Sequence, residues 1–173
     1  MNVILMGYRG TGKSSVGEKL SRVLHLPFYD SDTLIEELAG KTIQEMVGER
    51  GWGVFREKER EVIKSLATTM ESVIATGGGA VMDQENVDVL KKNGVLIWLT
   101  ADADTIIERI KTDADSVKRR PPLSHDDFLQ ETVKVLEERT PVYRRLADFS
   151  VDTAGKGIDE IVGEICRFLE KCR

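Results

Sequence analysis

Short apolar runs alternate along this chain with longer segments in which apolar residues recur every three or four positions. Each run has the length of a buried strand, and alternation of this kind is typical of an α/β fold with a mainly parallel sheet. The pattern predicts five buried, parallel strands. The runs are Val3–Met6, Pro27–Tyr29, Val73–Ala75, Val95–Leu99 and Phe149–Val151.

The helical segments are marked by their period and by their first residues. Apolar positions share one face over residues 16–24 and again over residues 158–169, which predicts a first and a last helix. Two further pairs have the spacing of a capping box, in which a threonine and a glutamate three residues later bond each other's backbone N–H groups. They are Thr42 with Glu45 and Thr105 with Glu108.

Composition narrows the class of function. The 173 residues suit one domain, spanning residues 1–173, and the net charge of −5 argues against a broad nucleic-acid interface. No apolar run approaches the ~20 residues that cross a bilayer, and the first residues do not form a cleavable leader. Cys166 and Cys172 fit neither a zinc site nor a disulfide framework. We therefore expect a cytoplasmic monomer without nucleic-acid or membrane partners.

The clearest chemical signal is a glycine-rich segment, Gly7-Tyr8-Arg9-Gly10-Thr11-Gly12-Lys13-Ser14, which matches G-x-x-x-x-G-K-[ST] at every fixed position. It follows a predicted strand and precedes a predicted helix, so its N–H groups can surround a phosphate at the positive end of the helix. Lys13 would reach the β- and γ-phosphates, and Ser14 would bind Mg²⁺. The segment predicts binding of a nucleoside triphosphate, although kinases, switches, motors and transporters share it.

Two carboxylates follow the second strand run, in Asp30-Ser31-Asp32. Residues two apart in extended chain face the same side, and the carboxyl end of a parallel strand faces the bound phosphates. One carboxylate could then hold a metal-bound water while the other accepts a hydrogen bond from a substrate hydroxyl. The alternative is that Asp30 or Asp32 only caps a helix beginning at Thr33.

Three other features could belong to an acceptor site, and each has a structural alternative. Arg56 and Glu59 lie three apart in a helical stretch from Trp52 to Leu66, so they could orient a guanidinium or form an ordinary surface ion pair. The run Gly77-Gly78-Gly79 could let the backbone approach a ligand or make a sharp turn. Arg139 could bind substrate or complement the end of a helix that closes there.

The segment Thr112–Ser124 has no apolar period and contains Lys118-Arg119-Arg120 followed by Pro121-Pro122. Its length of about 13 residues exceeds the usual connection, and long loops in compact enzymes are often lids. A lid and a solvated charged loop are both open interpretations of this composition.

In order and spacing, these features resemble the shikimate kinase family over essentially the whole chain. The family pattern joins the phosphate loop to D-x-D, F-R-x-x-E, G-G-G, an R-P lid and R-x-P-x-Y. The matching residues are Asp30-Ser31-Asp32, Phe55-Arg56 with Glu59, Gly77-Gly78-Gly79, Arg120-Pro121 and Arg139-Thr140-Pro141-Val142-Tyr143. The resemblance implies a P-loop kinase fold with helices on both faces of the sheet, a substrate-binding region of about residues 32–60 and a mobile lid of about residues 112–124.

The resemblance also implies the reaction. The γ-phosphate of ATP would pass to the 3-hydroxyl of shikimate, a step toward chorismate and the aromatic amino acids, with Mg²⁺ as cofactor. Carried over by position, Asp32 would bind the ring hydroxyls and assist deprotonation, and Asp30 would support Mg²⁺ through water. Arg56 and Arg139 would hold the shikimate carboxylate, with a backbone contact from Gly78.

On the nucleotide side, the resemblance implies that Arg120 closes over the transferring phosphate. The lid reads Arg120-Pro121-Pro122-Leu123 where the family usually has R-P-L-L, and the adjacent Arg119 could share or replace that role. Arg109 would pack beside adenine, with Thr153–Lys156 on its other edge. The implied ATP-binding residues are Gly10, Thr11, Gly12, Lys13, Ser14, Ser15, Arg109, Arg120 and Lys156, and the implied catalytic residues are Asp32, Lys13 and Arg120.

Two other functions are weighed against this one. A gluconate kinase or nucleoside monophosphate kinase would share the phosphate loop, but a nucleotide acceptor needs a base pocket and further phosphate-binding arginines. A nucleotide-dependent switch belongs to another class, and a GTPase is expected to show N-K-x-D, whereas Asn93 is followed by Gly94 and no such run occurs. Paired carboxylates and two arginines favour a polyhydroxylated acid as acceptor.

Overall fold

The computed structural model describes residues 1–112 and 125–172 and contains a five-stranded sheet in which every strand pair is parallel. Each predicted run is a strand to within one residue at either end, so the predicted α/β class is confirmed. The strands are β1 (Asn2–Met6), β2 (Phe28–Asp30), β3 (Val73–Ala75), β4 (Gly94–Thr100) and β5 (Phe149–Asp152), in the spatial order β2-β3-β1-β4-β5.

Burial of the strands follows their place in the sheet. All five residues of the central strand β1 are buried. The outer strands β2 and β5 keep partly exposed side chains, so the prediction of five buried strands was wrong for these two. An outer strand has a neighbour on one side only, and less of its surface is covered.

Helices cover both faces of the sheet. The α-helices of the described residues are α1 (Lys13–Leu24), α2 (Ser31–Ala39), α3 (Ile43–Ala67), α4 (Gln84–Asn93), α5 (Ala103–Thr112), α6 (His125–Leu146) and α7 (Ile158–Lys171), with a 3₁₀ turn at Ala80–Met82. Ile4 of β1 packs in one core layer with residues of α3, α4 and α6. Leu5 packs in the opposite layer with α1 and α7. Successive strand residues point to opposite faces, which divides the core in this way.

Two predicted helix starts have different outcomes. The capping box of Thr42 and Glu45 is present: the Glu45 N–H donates to the Thr42 hydroxyl at 3.2 Å, and the Thr42 N–H donates to the Glu45 carboxylate at 2.8 Å. The box of Thr105 and Glu108 was wrong. Helix α5 begins at Ala103, and the Asp102 carboxylate accepts from the Thr105 N–H at 2.8 Å and from its hydroxyl at 3.0 Å. Asp102 therefore caps this helix.

Two helices are longer than predicted. The segment predicted from Trp52 is part of α3, which starts at Ile43 and is interrupted at Gly51 (φ 79°, ψ 172°). Helix α6 does not end at Arg139, because it runs through Pro141 to Leu146. Proline removes one backbone hydrogen bond, but burial of Tyr143 and Leu146 beyond it keeps the last turn packed on the core.

Part of the predicted lid lies outside the described residues. Thr112 is the last residue of α5, and residues 113–124, with Arg119 and Arg120, are among those the structure does not describe. None of the helices in the described ranges has the length and apolar character that a membrane span requires.

Candidate active site

The glycine-rich segment joins β1 to α1, as predicted. Gly10 and Gly12 have positive φ angles of 75° and 89°, which a side chain would make strained. Gly12 is the N-cap of α1 and supplies no side-chain cap, so the first N–H groups of the helix remain available to an anion. The loop therefore has the backbone geometry of a phosphate-binding site.

Lys13 directly follows Gly12 and is the first residue of helix α1. Its ammonium donates to the Tyr8 carbonyl at 2.9 Å, and the Thr11 hydroxyl donates to the same carbonyl at 2.7 Å. Burial lowers the pKa of Lys13 to about 8, although the neighbouring Asp32 and Asp30 oppose that change. The group is mostly a cation at neutral pH and is held against the glycine-rich loop by its hydrogen bond to Tyr8.

Asp30 has two hydrogen-bonding roles, divided between its two carboxylate oxygens. The Ser14 hydroxyl donates to Oδ2 at 2.6 Å, while Oδ1 accepts from the N–H groups of Asp32 and Thr33 at 3.0 and 3.3 Å. Asp30 is thus the cap of α2 and also faces the phosphate loop. The helix begins at Ser31 rather than Thr33.

Asp32 lies in the first turn of α2, so the extended geometry predicted for it was wrong. Its Oδ1 atom is buried and has no hydrogen-bond donor among the described residues. Burial raises the pKa of Asp32 to about 6, with a further increase from Asp30 and an opposing effect of Lys13. The site therefore contains a carboxylate oxygen that lacks a donor, next to the lysine of the phosphate loop.

The triple-glycine run passes directly against Asp32. A Cβ at Gly77 would lie 2.5 Å from Asp32 Oδ1, so only glycine allows this approach. The Gly77 N–H donates to the buried Ser31 hydroxyl at 2.9 Å, which fixes the run against the start of α2. Close approach, rather than a turn alone, explains the glycine at this position.

Arg56 and Glu59 form an ion pair that is not an ordinary surface pair. Arg56 Nη1 lies 2.6 Å from Glu59 Oε2, and the Glu59 side chain is only 1% exposed. Burial raises the pKa of Glu59, and the hydrogen bond and charge of Arg56 oppose the increase. The guanidinium also lies 5.0 Å from the ring centre of Phe55 and 5.7 Å from that of Trp52. Its orientation is therefore fixed from several sides.

Arg56 and Arg139 line one depression although they lie on different helices, α3 and α6. Both line an open depression of about 500 Å³ that Gly79, Met82, Asp83 and Gln84 complete. A Cβ at Gly79 would lie 2.6 Å from Arg56 Nη2, so the glycine makes room for the guanidinium. The two guanidinium groups suit the binding of a carboxylate, and the Asp83 carboxylate of the same lining is paired with Arg60 at 2.6 Å.

The predicted nucleotide-side residues are placed as follows. Arg109 Nη1 donates to the Thr153 hydroxyl at 2.9 Å, its Nη2 donates to the Thr153 carbonyl at 2.7 Å, and Nη1 reaches the Gly10 carbonyl at 3.3 Å. Arg109 therefore joins the phosphate loop to the chain after β5. Lys156 follows in that same chain and pairs with Glu164 at 2.6 Å. Ser15 is exposed on α1.

The residues present fit a divalent cation bound mainly by phosphate and water. Within residues 1–112 and 125–172 there is no group of three His, Cys, Asp or Glu side chains that could hold a metal by itself. Ser14 and Asp30 instead offer two adjacent oxygens, the ligand type that Mg²⁺ prefers, and Mg²⁺ usually takes only one or two protein ligands beside substrate phosphates.

Sequence reasoning missed two contacts that organise this site. The Ser31 hydroxyl accepts a hydrogen bond from the Gly77 N–H at 2.9 Å, and the sequence motifs assign no contact to Ser31 or to Tyr143. The Tyr143 hydroxyl donates to the Gly78 carbonyl at 2.5 Å. No local pattern marks either contact, because each joins segments that are far apart in the chain.

Comparison with known proteins adds independent findings. The family model described as shikimate kinase matches residues 9–170. A shikimate kinase from Syntrophus aciditrophicus is 46% identical, over 99% of this chain and 92% of the relative. The solved shikimate kinase from Acinetobacter baumannii in complex with shikimate has a TM-score of 0.90 and 31% identity, covering 99% of this chain and 94% of that one. A structure from Bacteroides thetaiotaomicron has a TM-score of 0.88 and 30% identity, with 98% of each chain covered.

Proposed function

The chain belongs to the shikimate kinase family, and from that premise we propose which of its residues carry out each part of the reaction. The enzyme phosphorylates shikimate with ATP, a step in the biosynthesis of aromatic amino acids. The observation that supports the residue assignment is that Arg56 and Arg139 line one depression with Gly79, while Gly77 of the same glycine run lies against Asp32.

Arg56 and Arg139 bind the carboxylate of shikimate. Glu59 fixes the guanidinium of Arg56 at 2.6 Å, so little rotamer freedom is lost when the acid binds. The backbone of Gly78 lies beside Arg139, since a Cβ at Gly78 would be 3.6 Å from Arg139 Nη1. Two oriented cations with a nearby main-chain group would hold the acid in one orientation, so that its hydroxyls face the phosphate loop.

Asp32 positions the attacking 3-hydroxyl of shikimate. Its buried Oδ1 lacks a donor within the described residues, and a substrate hydroxyl would supply one. With a pKa of about 6, raised by burial, the carboxyl is ionised at neutral pH and can accept that hydrogen bond, and then the proton as the phosphate is transferred.

The phosphate loop and Lys13 bind the nucleotide phosphates. Arg109, Ser15 and Lys156 also bind ATP. Ser14 and Asp30 would hold Mg²⁺, Asp30 through water, and the bound ion would neutralise charge on the phosphates. In phosphoryl transfer the protein mainly positions the reactants and supplies positive charge around the transferred group. Lys13 supplies part of that charge from the described residues.

Arg120 remains a prediction, because it lies outside the described residues. An arginine that contacts the transferring group contributes about 10³–10⁵ in rate in comparable enzymes. Arg120→Ala should therefore collapse kcat, and near-normal turnover would refute its role. The same measurement on Arg119→Ala decides which of the two arginines acts.

We also propose, as predicted from the sequence, one domain over residues 1–173, a lid near residues 112–124, a monomer and a cytoplasmic location.

A coupled assay with ATP and three acceptors tests the substrate. Shikimate should stimulate ADP release, whereas gluconate and AMP should not. Arg56→Ala and Arg139→Ala should then raise KM for shikimate while leaving KM for ATP nearly unchanged. Lys58→Ala removes an exposed cation from the same helix as Arg56 and serves as the matched control. Equal losses of affinity for shikimate and ATP would count against a carboxylate site.

A further inference from the structure

Tyr143 connects helix α6 to the triple-glycine run from inside the core. Its side chain is 0% exposed, and its ring stacks on Trp98 with the ring centres 5.8 Å apart. It lies four residues after Arg139, so the two side chains share one face of α6. Its hydroxyl donates to the Gly78 carbonyl at 2.5 Å.

We propose that Tyr143 is a positioning residue for the substrate carboxylate: by holding the Gly78 carbonyl, it turns the Gly79 N–H toward the depression between Arg56 and Arg139. The inference rests on the proposed function of that depression. A trans peptide is planar, so its C=O and N–H groups point in opposite directions. When the Gly78 carbonyl points to the buried phenol, the Gly79 N–H points away from that phenol.

The hydrogen bonds of the glycine run support this orientation. The Gly77 N–H donates to Ser31 and the Ala80 N–H donates to the Gly77 carbonyl at 3.0 Å. Between them, the N–H groups of Gly78 and Gly79 have no acceptor within the part of the chain that the structure describes. Gly79 itself lines the depression. An anion seated there would meet a backbone donor as well as the two guanidinium groups.

The electrostatic surroundings of Tyr143 keep its phenol protonated, which this role requires because only the protonated phenol can donate a hydrogen bond. Burial raises the pKa of Tyr143, although the charge and hydrogen bonding of Arg139 oppose the increase. The phenol therefore remains a donor to Gly78 throughout the neutral range. A phenol oxygen can accept one hydrogen bond while it donates another. Tyr143 can thus link the Arg139 side chain to the Gly78 backbone, so that the guanidinium and the glycine run keep a fixed separation.

Tyr143→Phe removes the hydroxyl and leaves the stacked ring in place. We expect KM for shikimate to rise about five- to tenfold, the effect of losing one oriented hydrogen bond, with KM for ATP within about twofold of the wild type. The preference for shikimate over its neutral carboxamide, as a ratio of kcat/KM values, should fall by a similar factor. A role in folding alone would not change that ratio.

Thr132→Val is the matched control, because Thr132 lies on the same helix with a buried hydroxyl that has no partner among the described residues. It should leave both KM values unchanged. An unchanged shikimate KM in Tyr143→Phe would overturn the inference, as would equal increases in both KM values or an unchanged preference for the acid. Turnover of shikimate by the wild type is measured first, so failure of the proposed function is distinguished from failure of the role of Tyr143.

Discussion

The Ser14 hydroxyl donates a 2.6 Å hydrogen bond to Oδ2 of Asp30, and Oδ1 of the same carboxylate caps helix α2. One side chain therefore joins the phosphate loop to the helix that carries Asp32. This link holds the phosphate loop and the helix of Asp32 at a fixed separation before either substrate binds.

Substitutions at Asp30 should separate its two roles. Asp30→Asn keeps a capping oxygen, so the unfolding midpoint should hardly change while the Mg²⁺ concentration for half-maximal activity rises. Asp30→Ala should show the same metal effect and lose about 1 kcal/mol of stability in addition. Asp102→Ala removes a comparable cap from α5 and provides the control. A metal requirement that shifts equally in Asp102→Ala would contradict the assignment.

Glu59→Gln should affect both stability and shikimate binding. The substitution leaves the partly exposed Arg56 without its charge partner, and relief of the burial penalty on the Glu59 charge offsets part of that cost, so we expect a loss of about 1 kcal/mol of stability. KM for shikimate should rise because the guanidinium is no longer oriented. Glu61→Gln breaks an exposed pair with Lys58 of the same spacing and should cost less than about 0.5 kcal/mol. Chemical denaturation and steady-state kinetics of the two variants give the comparison. If Glu59→Gln lost no more stability than Glu61→Gln and kept the same KM for shikimate, the pair of Arg56 and Glu59 would have no role in either property.

Asp32→Asn should stabilise the fold while it strongly lowers activity. Because burial raises the pKa of Asp32 from 3.8 to about 6, ionisation of this carboxyl opposes folding. The penalty is absent below about pH 4, develops as pH rises toward 6 and is complete above it, where the stabilisation gained in Asp32→Asn should approach about 3 kcal/mol. Unfolding at pH 4 and pH 7.5 measures the difference. A variant that is less stable than the wild type at both values would contradict it.

The same carboxyl predicts how activity depends on pH. Protonated Asp32 cannot accept the hydrogen of the attacking hydroxyl, so kcat/KM for shikimate should fall as pH drops through about 6. In Asp32→Asn, any residual rate should lack that acidic limb. Persistence of the limb in the variant would assign it to another group.

Gly79→Ala tests the close approach of the glycine run to Arg56. A Cβ at this position would lie 2.6 Å from Arg56 Nη2, and the guanidinium, as the end of a flexible side chain, would move away. KM for shikimate should rise more than about tenfold with little loss of stability. In Gly163→Ala the new methyl group meets nothing within 4 Å, and this helical position should gain about 0.5–1 kcal/mol without a kinetic change. Equal kinetics for the two variants would argue against the approach.

The sequence predicted those features that depend on short stretches of chain. The strands and the phosphate loop depend on apolar runs and glycine spacing, and their predicted positions are confirmed to within a residue. Local patterns could not show that Asp102 precedes Thr105 as the cap, or that burial of Tyr143 and Leu146 carries α6 past Pro141. Whether Glu59 is buried also depends on tertiary packing, because the same i, i+3 spacing describes the exposed pair of Lys58 and Glu61.

A crystal structure of the complex with ADP and shikimate tests the central claim most directly. The account predicts that the carboxylate lies between the guanidinium groups of Arg56 and Arg139, and that the 3-hydroxyl is within hydrogen-bond distance of Asp32 on the side facing the phosphate loop. A carboxylate bound away from both arginines, or a 3-hydroxyl directed away from Asp32 and the nucleotide, would contradict it.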